Sequence, residues 1–526
     1  MNVVEFFAEK GYLLEPEFLE KLPEDFDKEE LLEYLEGKDV IVVDDELLKS
    51  FIEESGKEKK IEEKEIIEEK VIEKNEIIVT SFDERSKKIE VGDFVSYFKS
   101  RYNALKEILQ TRMELKEAVS INRVRDKNNE KICLIGIVNE KRTTKNENVL
   151  LELEDLSGKI SVLINKNKFE LFNLSKELVL DEVIGIVGNV SDNFVFVDEL
   201  FFPDVPVTKE LKKLNKEEYA VFISDLHVGG KDFLKEEFGK FLNWIKGENG
   251  TEEQKEIVDK VKYLFIVGDL IEGVGIFPGQ EKELEITDYF EQYKEFSRLI
   301  KEVPKRIKII VCPGNHDALR LDEPQPAMGK DLMGDLLEEE NIISVSNPAW
   351  VNIGKTEDFP GFDILMYHGG SFPYYADVVE GIRLAGGQQR ADLIMKFLLK
   401  KRHLAPTHTS TSYFAGSKDH HVIDKLPDFF VSGHIHRCSV GSYRNITMLN
   451  CSCWFPQSDY QEKRGLVPEP SKAMVVNLQT RDVKVINFGE EENVPTTLEK
   501  TEELAHQILS APQKILEKVL PKDGSK

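Results

Sequence analysis

No apolar run in this sequence reaches the roughly 18 residues a membrane-spanning helix needs, which excludes a helical membrane protein. Cysteine is scarce: the five residues at 133, 312, 438, 451 and 453 form no CxxC pair, so a disulfide framework is not expected. Cys451 and Cys453 have no second cysteine pair to complete a zinc site and read instead as part of a strand, NITMLNCSCWF over 445–455. A Walker-A glycine loop is absent, so phosphate handling cannot rest on that backbone cradle. The opening MNVVEFFAEKGYLL lacks a basic n-region and carries Glu5 and Glu9, against a secretory signal. These absences point to a reducing cytoplasm. Histidine is missing from the first 226 positions, and all ten lie beyond them.

What is present suits a large globular chain. At 526 residues, with 40% hydrophobic and 32% charged side chains, three or four domains of ordinary size are expected. The formal charge of −27 is unevenly spread: residues 1–80 carry 26 acidic and 11 basic side chains. More than half of the excess therefore sits where no substrate need touch it, and the total does not exclude a nucleic acid. Any polyanion site must then be built from local bases or metal ions.

Residues 1–50 carry helical spacing (Leu31, Leu32, Tyr34, Leu35) broken by Pro16 and Pro23, and read as a small helical module. A charged linker is expected over 51–80, because residues 53–76 hold ten Glu and six Lys without an aromatic or proline. A helical connector follows over 81–117. From 118 to 206 the period changes to strands: KICLIGIV, NVLLELED, KISVLIN, EVIGIVGNV and FVFVDEL, with turns at 156–158 and 191–193. Five short strands suit a small all-β barrel of the OB type. The first three contain no aromatic platform, which favours partner docking or a structural role over strand binding. A third large unit spans 216–490, where KAMVVNL and VKVINF read as a hairpin closing a second sheet. A helical tail is expected over 491–526.

Five segments of the third unit share one design, an apolar strand ending in ligating residues. YAVFISDLHVGG ends in Asp225 and His227, KYLFIVGDLIEG in Asp269, and IKIIVCPGNHD in Asn315, His316 and Asp317. FDILMYHGG ends in His368, and DFFVSGHIH in His434 and His436. Buried strands of a layered α/β domain aim their carboxyl ends at a common rim, so these residues are expected to converge. Imidazole, carboxylate and amide donors together suit Mn, Fe or Zn better than Mg or Ca. Two such cations sharing a central carboxylate can activate water and neutralise a phosphoryl group during in-line attack. His403, His408, His420, His421 and His506 match no motif and read as packing or solvent-facing residues.

The order DxH, GD, GNH, H, GHxH resembles the calcineurin-like metallophosphoesterase superfamily over about 270 residues. The resemblance implies a two-sheet α/β fold in which Asp225, His227 and His436 bind one ion and Asp269 bridges. Asn315, His368 and His434 complete the second site. His316 becomes the histidine that serves the leaving oxygen, with Asp317 orienting its ring. Between the fourth and fifth motifs, residues 381–406 are rich in bases. Arg383, Arg390, Lys400, Lys401 and Arg402 read either as contacts to a nucleic-acid backbone or as a cationic helix end complementing its dipole.

The whole arrangement, helical module, charged tether, barrel, then phosphoesterase, resembles the small subunits of archaeal family-D DNA polymerases, related to the B-subunits of eukaryotic replicative polymerases. In the eukaryotic relatives the metal motifs are eroded; here every ligand type is kept. The resemblance implies a manganese-dependent 3′→5′ proofreading exonuclease acting on single-stranded 3′ ends of DNA. It also implies a large partner subunit that holds the polymerase site, without which no polymerase activity is expected. The alternatives are a phosphoesterase for a small nucleotide or a phosphoprotein, and a scaffold with a vestigial metal site.

Overall fold

The computed structural model describes residues 7, 10, 13–14, 28–35, 42–43, 69–74, 77–82 and 88–489, apart from 128, 192, 193 and 464. The tail expected over 491–526, with His506, lies outside the described residues, as do residues 53–68 of the charged run and most of the 191–193 turn. The chain divides into two units, 1–68 and 69–526. Among the described residues, no helix is long and apolar enough to cross a membrane.

In the first unit the helix Lys28–Leu35 forms where the leucine spacing predicts one, burying Leu31 and Leu35. The unit is not purely helical, however. Strands β1 (Leu13–Leu14) and β2 (Val42–Val43) pair in parallel. Parallel neighbours need a crossover connection, and the helix lies within it.

The second unit begins earlier than the sequence suggests. Residues expected to end the linker form a hairpin, β3 (Glu69–Lys74) and β4 (Ile77–Phe82). Ile77 and Val79 alternate into the core, a short period-two signal that the neighbouring glutamates obscure. Ser346 fastens the end of β4: its Oγ accepts from the Phe82 amide at 3.0 Å, and its own amide donates to Ser81 Oγ at 2.8 Å. The helix Val91–Gln110 then buries Tyr97, Tyr102, Leu105 and Leu109 on one face.

Strands β5 (Lys131–Thr143), β6 (Val149–Asp155), β7 (Gly158–Ile164), β8 (Val183–Ser191) and β9 (Phe194–Phe201) close a barrel in the order β5-β6-β7-β9-β8. Only β7 and β9 run parallel, as the OB-type connection requires. Alternating residues such as Leu134, Leu151, Leu153, Val162, Ile186 and Val195 fill it. The Asp155 carboxylate holds the β6–β7 turn by accepting from the amides of Ser157 at 2.8 Å and Gly158 at 3.0 Å.

Two mixed sheets follow. β10 (Tyr219–Ile223), β11 (Val261–Val267), β12 (Lys308–Cys312) and β13 (Ile342–Ser344) run parallel in one six-stranded sheet. The other contains β14 (Ala349–Ile353), β15 (Phe362–Met366), β16 (Phe429–Ser432), β17 (Ser439–Tyr443) and β18 (Ile446–Asn450), extended by β4 and β3. Cys451 and Cys453 lie past the end of β18, buried and free, so the strand expected over 445–455 stops short of them. The hairpin β19 (Lys472–Asn477) and β20 (Val483–Asn487) joins the first sheet beside β10, not the second as expected. Its two buried faces explain the placement: Met474 and Val476 meet the inter-sheet core, while Ala473 and Val475 meet the helices outside. Phe222 stacks on Phe265 between the sheets at 4.9 Å. This α/β sandwich, preceded by the barrel, has the expected fold class.

Candidate metal centre

The carboxyl ends of β10, β11 and β12 in one sheet and of β15 and β16 in the other meet at one rim. Asp225 and His227 follow β10, Asp269 follows β11, Asn315 and His316 follow β12, His368 follows β15, and His434 and His436 follow β16. All five strand-end motifs therefore converge. Asp225, His227, Asp269 and His436 can each offer one ligand atom with all these atoms within 4.8 Å of one another. Asp269, His368 and His434 form a second such group, and Asn315 Oδ1 lies 3.2 Å from His368 Nε2. Asp269 belongs to both groups, as a bridging carboxylate must.

The local backbone is unusual at these positions. Asp225, His227, Asp269, His434 and His436 all adopt positive φ, between 49° and 67°. Non-glycine residues rarely accept this region, and such strain gathers where function fixes a side chain. Close approach also dictates two glycines. A Cβ at Gly314 would run into the Asp269 carboxylate, and one at Gly268 into the His368 ring.

Proton positions favour ligation. His227 Nδ1–H donates to Glu272 Oε2 at 2.8 Å, and His368 Nδ1–H to the Val267 carbonyl at 2.9 Å. Each ring therefore keeps Nε2 for an ion. His227 Nε2 is buried without a hydrogen bond, 3.9 Å from Asp225 Oδ1 and 3.7 Å from Asp269 Oδ2. An orphaned imidazole nitrogen facing two carboxylates fits a transition-metal cation.

Electrostatics agree. Burial opposes the Asp269 charge, yet the imidazoles of His368 and His316 hold its carboxyl well below the usual range. Burial likewise opposes charge on His227, but Glu272, Asp269 and Asp225 carry it up to about 9. His368 reaches about 10 against the same burial, through Asp269. His434, half-buried and desolvated beside His368, falls to about 3.

Asp317 departs from expectation. Its carboxylate does not hold His316; it accepts from the Gly314 amide at 2.8 Å, the Leu270 amide at 3.3 Å and Tyr293 Oη at 3.1 Å. Burial and the nearby Asp269 push it up to about 7. It braces the loops after β11 and β12, whereas His316 Nδ1–H donates to the Glu272 carbonyl at 2.8 Å. Glu272, Tyr293, Gln280 and Gln292 match no motif in the sequence. Only Glu272 had a signal there, an acidic residue three positions after Asp269 in GDLIEG.

The basic run turns mostly inward. Lys401 is buried and pairs with buried Glu182 of the barrel at 2.7 Å, above the Phe202 ring. Arg402 is buried, with Nε on the Ile423 carbonyl and Nη2 on that of Asp424, both at 2.7 Å. Contrary to the sequence expectation, neither can meet a nucleic-acid backbone from there, because burial leaves no accessible charge; both have structural roles. Lys400 pairs with Glu177, and Arg390 with Asp392 at 2.7 Å. Arg383 stays exposed, with Nη1 on the Asp377 carbonyl at 3.1 Å. His403 and His421 are buried in a polar network. His403 Nε2 lies 2.9 Å from Asp419, which Arg101 Nε meets at 2.6 Å, and His421 Nε2 lies 2.8 Å from Glu323.

Comparison with known proteins follows the same lines. The family model for calcineurin-like phosphoesterases matches residues 220–438. The DNA polymerase II small subunit of Methanothermobacter thermautotrophicus is 40% identical over 390 residues, covering 74% of this chain and 78% of the relative. That of Methanocaldococcus jannaschii is 37% identical over 391 residues, covering 74% of this chain and 64% of the relative. That of Thermoplasma acidophilum is 31% identical over 494 residues, covering 93% of each. The matched phosphoesterase domain and these identities lead to one conclusion: the chain belongs to the family of archaeal DNA polymerase II small subunits, the family-D type with a calcineurin-like phosphoesterase domain.

Proposed function

We propose that this subunit is a 3′→5′ exonuclease that hydrolyses DNA phosphodiester bonds at single-stranded ends and proofreads for a large polymerase subunit in the cytoplasm. The observation that carries this reading is the double ligand group sharing Asp269, with His316 beside it. Asp225, His227 and His436 would hold one divalent ion, Asn315, His368 and His434 the other, with Asp269 between. Mn²⁺ is the first choice and Fe or Zn the alternatives. Such ions supply Lewis acidity and neutralise charge on a phosphoryl group. His316, with Nδ1 tied to the Glu272 carbonyl, keeps Nε2 as the nitrogen that can carry a proton to the leaving oxygen. Asp317 fixes the loops on which this depends. Arg383, exposed in the 381–406 run, would serve as a DNA contact. Nucleotidyl transfer belongs to the large subunit, which this chain docks.

The test uses Asp269→Ala and His316→Ala. Both variants are expected to fold and bind the large subunit yet lose Mn²⁺-dependent degradation of single-stranded DNA. Full nuclease activity in both would refute the reading. Faster hydrolysis of a cyclic nucleotide or a phosphoprotein by the wild type would assign the site to those substrates instead.

A further inference from the structure

Glu272 touches both kinds of histidine at the rim. Its Oε2 accepts from His227 Nδ1–H, and its backbone carbonyl accepts from His316 Nδ1–H, each at 2.8 Å. The two rings stand 4.6 Å apart and nearly perpendicular, at 83°. Glu272 is itself clamped. Buried Gln280 donates Nε2 to the Glu272 carbonyl at 3.0 Å and to Oε1 at 3.3 Å. Buried Gln292 holds the next residue, accepting from the Gly273 amide at 2.9 Å and donating to its carbonyl at 3.2 Å. Two fully buried amides spent on one loop mark a position whose geometry is fixed.

We propose that the Glu272 carboxylate is a positioning group that sets which nitrogen His227 offers to the first ion. This rests on the metal-centre reading above. A neutral imidazole has one protonated nitrogen, and a carboxylate at Nδ1 keeps the proton there, leaving Nε2 bare and more basic. The ligand atoms of His227, Glu272 and His316 lie close enough to hold a third ion. That occupant is disfavoured, because both Nδ1 contacts are hydrogen-bond distances and need those protons. Since the same residue anchors His316, first-ion binding and the proton carrier share one support.

The test is a calorimetric titration of Mn²⁺ into the full chain after chelator treatment. Wild type should bind two ions. Glu272→Ala should weaken one of them roughly 10- to 100-fold and leave the other unchanged. Glu272→Gln keeps an acceptor oxygen and should recover most of the loss. If the alanine chain does not fold, Glu272→Asp, which withdraws the carboxylate, decides: weakened binding of one ion supports the proposal and unchanged binding overturns it. Wild-type affinity in Glu272→Ala, or equal losses in the alanine and glutamine chains, would also overturn it. A wild type that binds no Mn²⁺ would remove the metal-centre reading itself.

Discussion

His368 Nε2 lies 3.2 Å from a carboxylate oxygen of Asp269, although one residue follows a strand of the seven-stranded sheet and the other a strand of the six-stranded sheet. Neither sheet alone makes the site. A cation held by both residues would therefore tie the sheets together and stabilise the folded chain. At a free Mn²⁺ concentration a hundredfold above its Kd, the gain should be about 2.7 kcal/mol per ion. Thermal melts with and without chelator should separate for the wild type and coincide for Asp269→Ala. Coincident wild-type melts would count against ion binding.

His316 should behave differently from the ligands. It belongs to neither group built around Asp269, so His316→Ala should retain both Mn²⁺ ions in a titration. Its kcat on single-stranded DNA should nevertheless fall roughly 10²- to 10⁴-fold, the usual loss for a general acid. Loss of an ion instead would recast His316 as a ligand.

The barrel is joined to the phosphoesterase domain through Lys401 and Glu182, both buried. Removing one partner strands the other. Lys401→Ala should cost about 3–5 kcal/mol in denaturant unfolding, while Lys401→Met combined with Glu182→Leu should restore much of it. An undiminished Lys401→Ala chain would show that the pair carries no structural role.

His421 gives a pH signature away from the metal rim. Burial opposes its charge, but hydrogen bonds with Asp419 and Glu323 raise it from 6.5 to about 9. A raised folded-state value means stability is greatest where the ring is protonated in both states. The contribution is complete below about 6.5 and disappears as pH rises through about 9. The stability difference between wild type and His421→Asn should shrink over that interval. Parallel curves would contradict the pairing.

The barrel strands and the five strand-end motifs were legible because their period and their ligand types are local properties. Leu151 and Leu153 alternate within one strand, and Asp269 ends an unbroken apolar run. Glu272 was harder to assign, since its two partners lie 44 and 45 positions away in sequence. Lys401 and Arg402 misled for a related reason: composition records charge but not direction, and their partners come from the barrel and from the 423–424 segment. The β19–β20 turn is a local signal, but the sheet it joins is not, because both faces of β19 are apolar.

The left-handed backbone at Asp225, His227, Asp269, His434 and His436 sets evolution and engineering against each other. Each such residue costs roughly 1–2 kcal/mol relative to a relaxed conformation, a cost that glycine avoids. A selection for heat tolerance alone would drift toward glycine at these five places and yield a sturdier, inert protein.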